Sequence, residues 1–500
     1  MNIALINPNL VVQKKDPLTT GIVYMPVMLA YAAAALENSG HQVTVIDAYA
    51  LKPRQVRHLE QFWIFGLTEK EILERLPKQC GLVVIYANQL INHLSLIRII
   101  QAIKKFSGAL PIAILENSQA VTAYSVDHEA VASRLYQAGA DYLIPGDGEE
   151  TLVVLAAALE KGLNKNVSGL AHPGHIPVRR TRENIDELPF PAWHLFPLEQ
   201  YWNLGFAHGP LTGKKYLPML TSRGCPYSCR FCVSPTTAGK WRGRSACNVV
   251  DEMQTMSERF GVTEFHWEDI NPTVSDERIR QICAEIQNRA LKVTWKLVSG
   301  TKAETIKNEE TIELMAAAGC RYISISPEAG SEDVLRSMHK PFDLNHAKKI
   351  IDSMNQNRIP CQACFVLGFP TETPEDLIKT KNLVKELTCC GIDEIALFIM
   401  TPVPGSSVFD DFDGYSSFSE LNFTPIWRKD YRTLNGFRSG LYRKFLCWKL
   451  LSHPAKIIAQ PFSFLSRKFN TKMEMVPYRA LKLWWWAKKS NKQIEIQATK

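Results

Sequence analysis

No run of 18 consecutive apolar side chains occurs in the 500 residues, so no helix able to cross a bilayer is expected. The nearest stretch, "YMPVMLAYAAAAL", has the length of a packed helix. The opening "MNIALINPNLVV" lacks the basic flank of a secretory leader and reads as a first β-strand, so a cytoplasmic chain is expected. Charged residues are modest at 22% and hydrophobic ones reach 46%, which argues against general disorder. Without a secretory context, the 12 cysteines read as reduced thiols or metal ligands and not as a disulfide framework. Acidic residues are nearly missing from one end. From Arg428 onward three Asp and Glu face 17 Lys and Arg, whereas residues 1–427 hold 47 acidic and 41 basic residues.

What is present divides the chain into four parts. Over residues 1–165, β-branched runs such as "NIALIN", "VTVID", "LVVIY" and "PIAIL" alternate with helical stretches, which predicts a doubly wound, Rossmann-like parallel sheet. Residues 166–213 carry prolines at 173, 177, 189, 191, 197 and 210 without clear periodicity and read as a connector. From 214 to 410 a second rhythm of six βα steps predicts a partial (β/α)6 barrel, with its chemistry at the C-terminal ends of the strands. Residues 411–500 form a basic, aromatic and mostly helical region. The fold class is α/β with a helical C-terminal region.

The first barrel strand is followed by "RGCPYSCRFC", with Cys225, Cys229 and Cys232 as a Cys-x3-Cys-x2-Cys set. A structural zinc site wants four ligands, and no His or Cys follows Cys232 until Cys247. A four-iron cluster takes one thiolate per iron, so three cysteines leave one iron open to a ligand that is not protein. Gly224 and Pro226 allow the backbone to curl, and Arg223 and Arg230 can offset the negative charge of thiolates and sulfides. A non-catalytic iron-sulfur carrier or redox sensor normally ligates every iron with protein thiols, and the missing fourth cysteine argues against it. Cys361 and Cys364 are spaced so that a strand points them to opposite faces, and with Cys389 and Cys390 they read as core thiols.

The stretch "TSRGCPYSCRFC" resembles the radical S-adenosylmethionine (radical SAM) superfamily. "FHWEDINPTVSDERI", "LMAAAGCRYISISPEAGSEDVLRSMHKPF", "FVLGFPTETPEDLIKT" and "TPVPGSSVF" resemble its later barrel segments, so the likeness covers residues 216–408. It implies a [4Fe-4S] cluster on Cys225, Cys229 and Cys232, and S-adenosylmethionine (SAM) bound at the open iron and cleaved reductively to a 5′-deoxyadenosyl radical. It further implies that Phe231 packs near the SAM adenine and that Glu268 and Asp269 meet the SAM amino group. Ser326 and Glu328 would meet the ribose, and Gly368 would allow close approach to the adenine. The family's Gly-Gly before the carboxylates is "HW" here.

Residues 1–160 resemble the cobalamin (B12)-binding domain that precedes the barrel in one branch of the superfamily. "ALINPN", "MPVMLAYAAAALENSGHQVTVID" and "ADYLIPGDGEETL" carry that likeness. Two features depart from it. No Asp-x-His-x-x-Gly follows the first strand, so cobalt would have no lower His ligand. Where the family has Gly-Gly after "PIAIL", this chain has "ENSQA", whose bulkier residues could close the groove to the nucleotide tail.

The resemblance implies a cytoplasmic enzyme that removes hydrogen from an unactivated carbon and methylates it through cobalamin, on a small or hydrophobic metabolite. An electron donor such as flavodoxin or ferredoxin would serve it. A rearrangement, cyclisation or sulfur insertion without corrinoid is the rival. The basic end admits three readings: a helical cap packed on the barrel with its aromatics buried, which is favoured, a peripheral contact with an anionic membrane surface or a lipid-like substrate, and, last, nucleic acid.

Overall fold

The computed structural model describes residues 1–120, 122–162, 167–175 and 178–498, with side chains described through Ser490. Pro177 lies outside them. The first half contains β1 (Asn2–Asn7), β2 (Leu10–Gln13), β3 (Gln42–Asp47), β4 (Val56–Leu59), β5 (Phe62–Phe65), β6 (Cys80–Ala87), β7 (Ile112–Glu116) and β8 (Tyr142–Ile144). Five of them form a parallel sheet in the order β3-β1-β6-β7-β8. Packed helices cover both faces, which is why the inner strands read as continuous Val/Ile/Leu runs and not as alternating ones. The expected doubly wound sheet is therefore present.

β2, β5 and β4 add a three-stranded antiparallel sheet that the sequence pattern does not announce. Its strands are four residues long, and its turn places Glu60 at a φ of 41°, a left-handed conformation without the usual Gly or Asn signal.

The second half begins with β9 (Tyr216–Met219) and a short antiparallel hairpin, β10 (Ser222–Arg223) with β11 (Arg242–Gly243). β12 (Glu264–Trp267), β13 (Thr294–Thr301), β14 (Cys320–Glu328), β15 (Cys361–Leu367) and β16 (Glu394–Ile399) follow. With β9 they form a six-stranded parallel sheet in the order β16-β15-β14-β13-β12-β9, an open barrel. Ser245, Ser275, Asn308, Asp343 and Thr373 each accept an N–H from the first turn of the helix they precede, which fixes where the loops above the strands end.

The two sheets share one core. Tyr31 donates to the Glu252 carboxylate across them at 3.0 Å, and Arg244 bonds to both. The proline-rich connector contributes Trp193, Tyr201, Trp202 and Phe206 to the same core, so it packs instead of trailing. The C-terminal helices span Tyr431–Ser452, Pro454–Ile458, Gln460–Ser466 and Lys472–Ala498. Leu441, Phe445, Leu483 and Trp486 are buried, as a cap requires, but Leu451, Phe462 and Leu465 are 83%, 69% and 79% exposed. The expectation that the aromatics of this region are buried holds for one face only. Cys361 is buried, but Cys389 is exposed and is not a core thiol.

Candidate active site

The cysteine loop leaves the C-terminal end of β9 under tight backbone control. Gly224 has a φ of 81°, and a Cβ there would stand 2.1 Å from the Lys240 carbonyl oxygen, so only glycine fits. The Cys225 N–H donates to Gly239 at 3.3 Å, the Cys232 N–H to Cys229 at 3.1 Å, and the Ser234 N–H to the Cys232 Sγ at 3.4 Å. Cys225, Cys229 and Cys232 line one cavity of about 1050 Å³ that penetrates the barrel.

Among the described residues, no three His, Cys, Asp or Glu side chains converge tightly enough to hold a single metal ion. Three thiols lining one cavity, with no fourth protein ligand beside them among the described residues, suit a cluster with one open iron better than a four-ligand zinc site. An N–H directed at a thiol sulfur and the nearby ammonium groups of Lys302 and Lys340 are the surroundings an anionic cluster needs. The residues present fit the group.

Phe231, Ser326 and Glu328 line the same cavity as the thiols. Glu328 ends β14 at a φ of 67°, a strained conformation for a non-glycine residue, and is held there by a buried ion pair with Lys340 at 2.5 Å. Burial opposes the Lys340 charge, but Glu328 and the neighbouring Cys229 outweigh it and hold its pKa above the ordinary value.

Glu268, Asp269 and Gly368 do not line the cavity. The Glu268 carboxylate is turned to His208, which does line the cavity and whose Nδ1 lies 2.6 Å from it. Asp269 is wholly buried and accepts from the N–H and hydroxyl groups of Thr221 and Ser222, so in this structure it holds the strand end from which the cysteine loop departs. Burial raises its carboxyl above the ordinary range, and the Ser222 and Thr221 donors pull it back. At Gly368 a Cβ would meet Leu434 at 2.4 Å and Arg428 at 2.9 Å, so the close approach there is to the C-terminal region.

Sequence reasoning missed a second set of cavity residues: Tyr24, His208, Lys340, Cys364, Lys472 and Arg479. Tyr24 packs against His208 with ring centroids 4.4 Å apart and the rings tilted by 35°, and Lys472 lies 3.3 Å from the His208 Nε2. Burial pushes the His208 pKa down to about 4 against the pull of Glu268, so the ring is neutral near pH 7. With Nε2 facing an ammonium group, the proton resides on Nδ1 and is donated to Glu268. These six residues come from five separate segments without a common motif, and only the tertiary fold brings them together. Cys364, read as a core thiol, faces the cavity against Ser324 and Gln362.

The C-terminal edge of the first sheet docks on the cysteine loop. Gln119, from "ENSQA", accepts the Gly224 N–H and donates to Asp147, while Arg223 pairs with Glu149 and Arg242 with Asp147. Asn7, Asn88, Asn92 and Asn117 form a connected hydrogen-bond network along that edge, and Glu116, wholly buried, pairs with Arg179. Tyr49 Oη, His93 Nε2 and Thr122 Oγ1, all beyond the C-terminal ends of these strands, are buried without a partner among the described residues.

Comparison with known proteins converges on this architecture. The family model of the radical SAM superfamily matches residues 219–384. An uncharacterised methyltransferase of Pyrococcus horikoshii is 29% identical over 302 residues, 59% of this chain and 62% of that protein, so the match leaves over a third of the relative uncovered. Cytidylyl-2-hydroxyethylphosphonate methyltransferase of Streptomyces wedmorensis is 26% identical over 454 residues, 81% of this chain and 80% of its own. Among solved structures, the radical SAM methyltransferase TsrM from Kitasatospora setae, with cobalamin and a [4Fe-4S] cluster bound, superposes with a TM-score of 0.62. It is 18% identical, covering 82% of this chain and 74% of that one, which establishes a common fold.

Proposed function

We propose that this chain, a member of the radical SAM superfamily, cleaves SAM reductively at a [4Fe-4S] cluster on Cys225, Cys229 and Cys232 and methylates an unactivated carbon of a hydrophobic small molecule. The observation that carries this reading is the opening of the three thiols into the cavity that Phe231, Ser326 and Glu328 also line, at the C-terminal end of the barrel. When bound, the cluster supplies an electron and SAM the hydrogen-abstracting group; the chain supplies position and exclusion of water. Phe231 offers an aromatic wall and Ser326 and Glu328 polar contacts for the cofactor. Lys302 and Lys340 balance cluster charge. A small reduced carrier such as flavodoxin or ferredoxin would deliver the electron.

The methyl group would come by way of a corrinoid, as the fold shared with TsrM supports. The C-terminal edge of the first sheet offers it the unpartnered Tyr49, His93 and Thr122 atoms, and Gln119 would release Gly224 to admit it. The "ENSQA" segment in place of the expected Gly-Gly also favours a second reading, a rearrangement, cyclisation or sulfur insertion without corrinoid. Cobalt retained after purification from cobalamin-supplied cells separates the two.

The C-terminal helices would add a peripheral membrane contact. Leu450, Phe462, Leu465, Trp484 and Trp485 are exposed there, with Lys488 and Lys489 over the two tryptophan rings. No helix among the described residues is long and apolar enough to cross a membrane.

The deciding experiment is anaerobic reconstitution followed by SAM and dithionite. Deoxyadenosine is expected from the wild type and none from Cys229→Ala, and a product heavier by one methylene identifies methylation. Zinc in place of iron, or a fully protein-ligated cluster by spectroscopy, removes the reading.

A further inference from the structure

Arg479 is a guanidinium without a counter-charge in contact. It is 2% exposed, its partner among the described residues is the Leu18 carbonyl at 2.8 Å, and its Nε bonds to nothing. A buried cation in that condition costs several kcal/mol unless something compensates it. It lines the cavity, as does Lys472, and on the helix Lys472–Ala498 the two stand seven residues apart, two turns along one face. Lys472 likewise lacks a carboxylate in contact: its Nζ meets the Val298 carbonyl at 2.6 Å and the His208 Nε2. Two further cations of the cavity are matched, Arg438 by Asp16 and Lys340 by Glu328, while Lys15 and Arg443 are exposed to solvent.

Much of the remaining wall is apolar, although Glu394, Gln362, Asn435 and several hydroxyl groups also line it. Along β16 the cavity is lined by Ile395, Leu397, Phe398 and Ile399, with Phe423 among the further apolar lining side chains. Leu18 and Leu446 line it too while remaining 52% and 41% exposed, so the cavity opens to the outside beside these two residues. Two unmatched cations in a largely hydrocarbon wall are the recognition set for a molecule with an anionic head and a long apolar body.

We infer that Arg479 and Lys472 form an anion-binding subsite, and that the substrate is an amphiphile whose carboxylate or phosphate head these cations hold and whose apolar chain lies against β16. This rests on the reading of the cavity as a radical SAM active site and specifies its substrate class. A carboxylate and a phosphate share the chemistry that the two cations select.

Calorimetric titration of the reconstituted holoenzyme with dodecanoate, dodecyl phosphate and dodecanol tests it. At least one of the two anions binds with one-to-one stoichiometry and at least tenfold more tightly than dodecanol, and the stronger of the two names the head group. Arg479→Gln abolishes that preference and leaves dodecanol affinity unchanged, whereas Arg479→Lys retains part of it. Equal affinity for all three ligands in the wild type overturns the inference without any variant. So does a preference that survives both Arg479→Gln and Lys472→Met. Deoxyadenosine formation is measured in parallel: its absence from the wild type defeats the radical SAM reading while leaving the anion preference intact.

Discussion

Gln119 Oε1 lies 2.8 Å from the Gly224 nitrogen, although the two residues are 105 positions apart. A loop of the first sheet thus holds the backbone from which Cys225 departs, at the point where Gly224 alone can pass the Lys240 carbonyl. The first sheet therefore braces the cysteine loop through a side chain of the "ENSQA" segment, which stands where Gly-Gly is expected. Gln119→Gly is expected to remove the brace and the obstruction together. Cobalt per chain after purification from cobalamin-supplied cells should rise severalfold over the wild type. An unchanged cobalt content would show that Gln119 does not control corrinoid access.

Glu328 and Lys340 form an ion pair whose side chains are 7% and 9% exposed. Removing one partner from such a pair leaves an uncompensated buried charge and costs about 3 kcal/mol, whereas removing both is close to neutral. Lys340→Met is expected to lower unfolding free energy by that amount in urea, and Lys340→Met with Glu328→Gln to recover most of it. If the double variant is as unstable as the single one, the pair is not what holds Glu328 in its strained conformation.

Glu372 follows β15, and its Oε2 accepts the Gly368 N–H while its Oε1 is buried without a partner. Burial raises its pKa to about 7 from a reference of 4.5, with the Gly368 and Phe369 N–H groups acting against the shift. The folded state then holds a proton that the unfolded state has lost between these two values, so stability declines as pH rises through that window. The ceiling is ~3 kcal/mol, since one pKa unit is 1.36 kcal/mol. Measured by urea titration at pH 5 and pH 8, Glu372→Gln should gain stability relative to the wild type at the higher pH. A pH-independent difference would place the carboxyl in water.

The two parallel sheets, and the grouping of Cys225, Cys229 and Cys232 that the structure places at one cavity, were legible because their signals are local. β-branched runs separated by helical stretches specify strands, and the spacing of 225, 229 and 232 needs no tertiary information. The position of a residue after a strand predicted less. Asp269 stands next to Glu268 in the chain, yet its carboxylate is consumed by Thr221 and Ser222, and Glu268 is turned to His208. Lys472 and Arg479 were read as part of a basic tail. Their arrival inside the barrel depends on a helix that enters from the far end of the chain and packs beside the Leu18 loop. The "ENSQA" departure was visible, but not that its glutamine would bond to the cysteine loop.

The exposed face of the C-terminal helices differs from an ordinary surface in pairing large apolar groups with cations. Leu481, Trp484 and Trp485 are 58%, 48% and 54% exposed and lie one to two turns beyond Pro477, which lines the cavity mouth. Lys488 Nζ stands 4.9 Å from the centre of the Trp484 ring and Lys489 5.5 Å from that of Trp485, an arrangement that sets aromatic bodies at an acyl boundary and ammonium groups over phosphates. Each such cation adds ~1 kcal/mol of attraction to an anionic bilayer, and that attraction fades as salt shortens the Debye length. The protein is expected to sediment with vesicles of phosphatidylglycerol and phosphatidylcholine but not with phosphatidylcholine alone, and to be released at high salt. Phe462→Ser with Trp484→Ser and Trp485→Ser should weaken sedimentation at least tenfold without lowering the melting temperature, because these side chains are exposed. Equal binding to neutral vesicles would reduce the contact to non-specific apolar adhesion. A dimer in light scattering that the triple substitution dissolves would assign the face to a second copy of the chain, because the same residues would then be covered by protein instead of lipid.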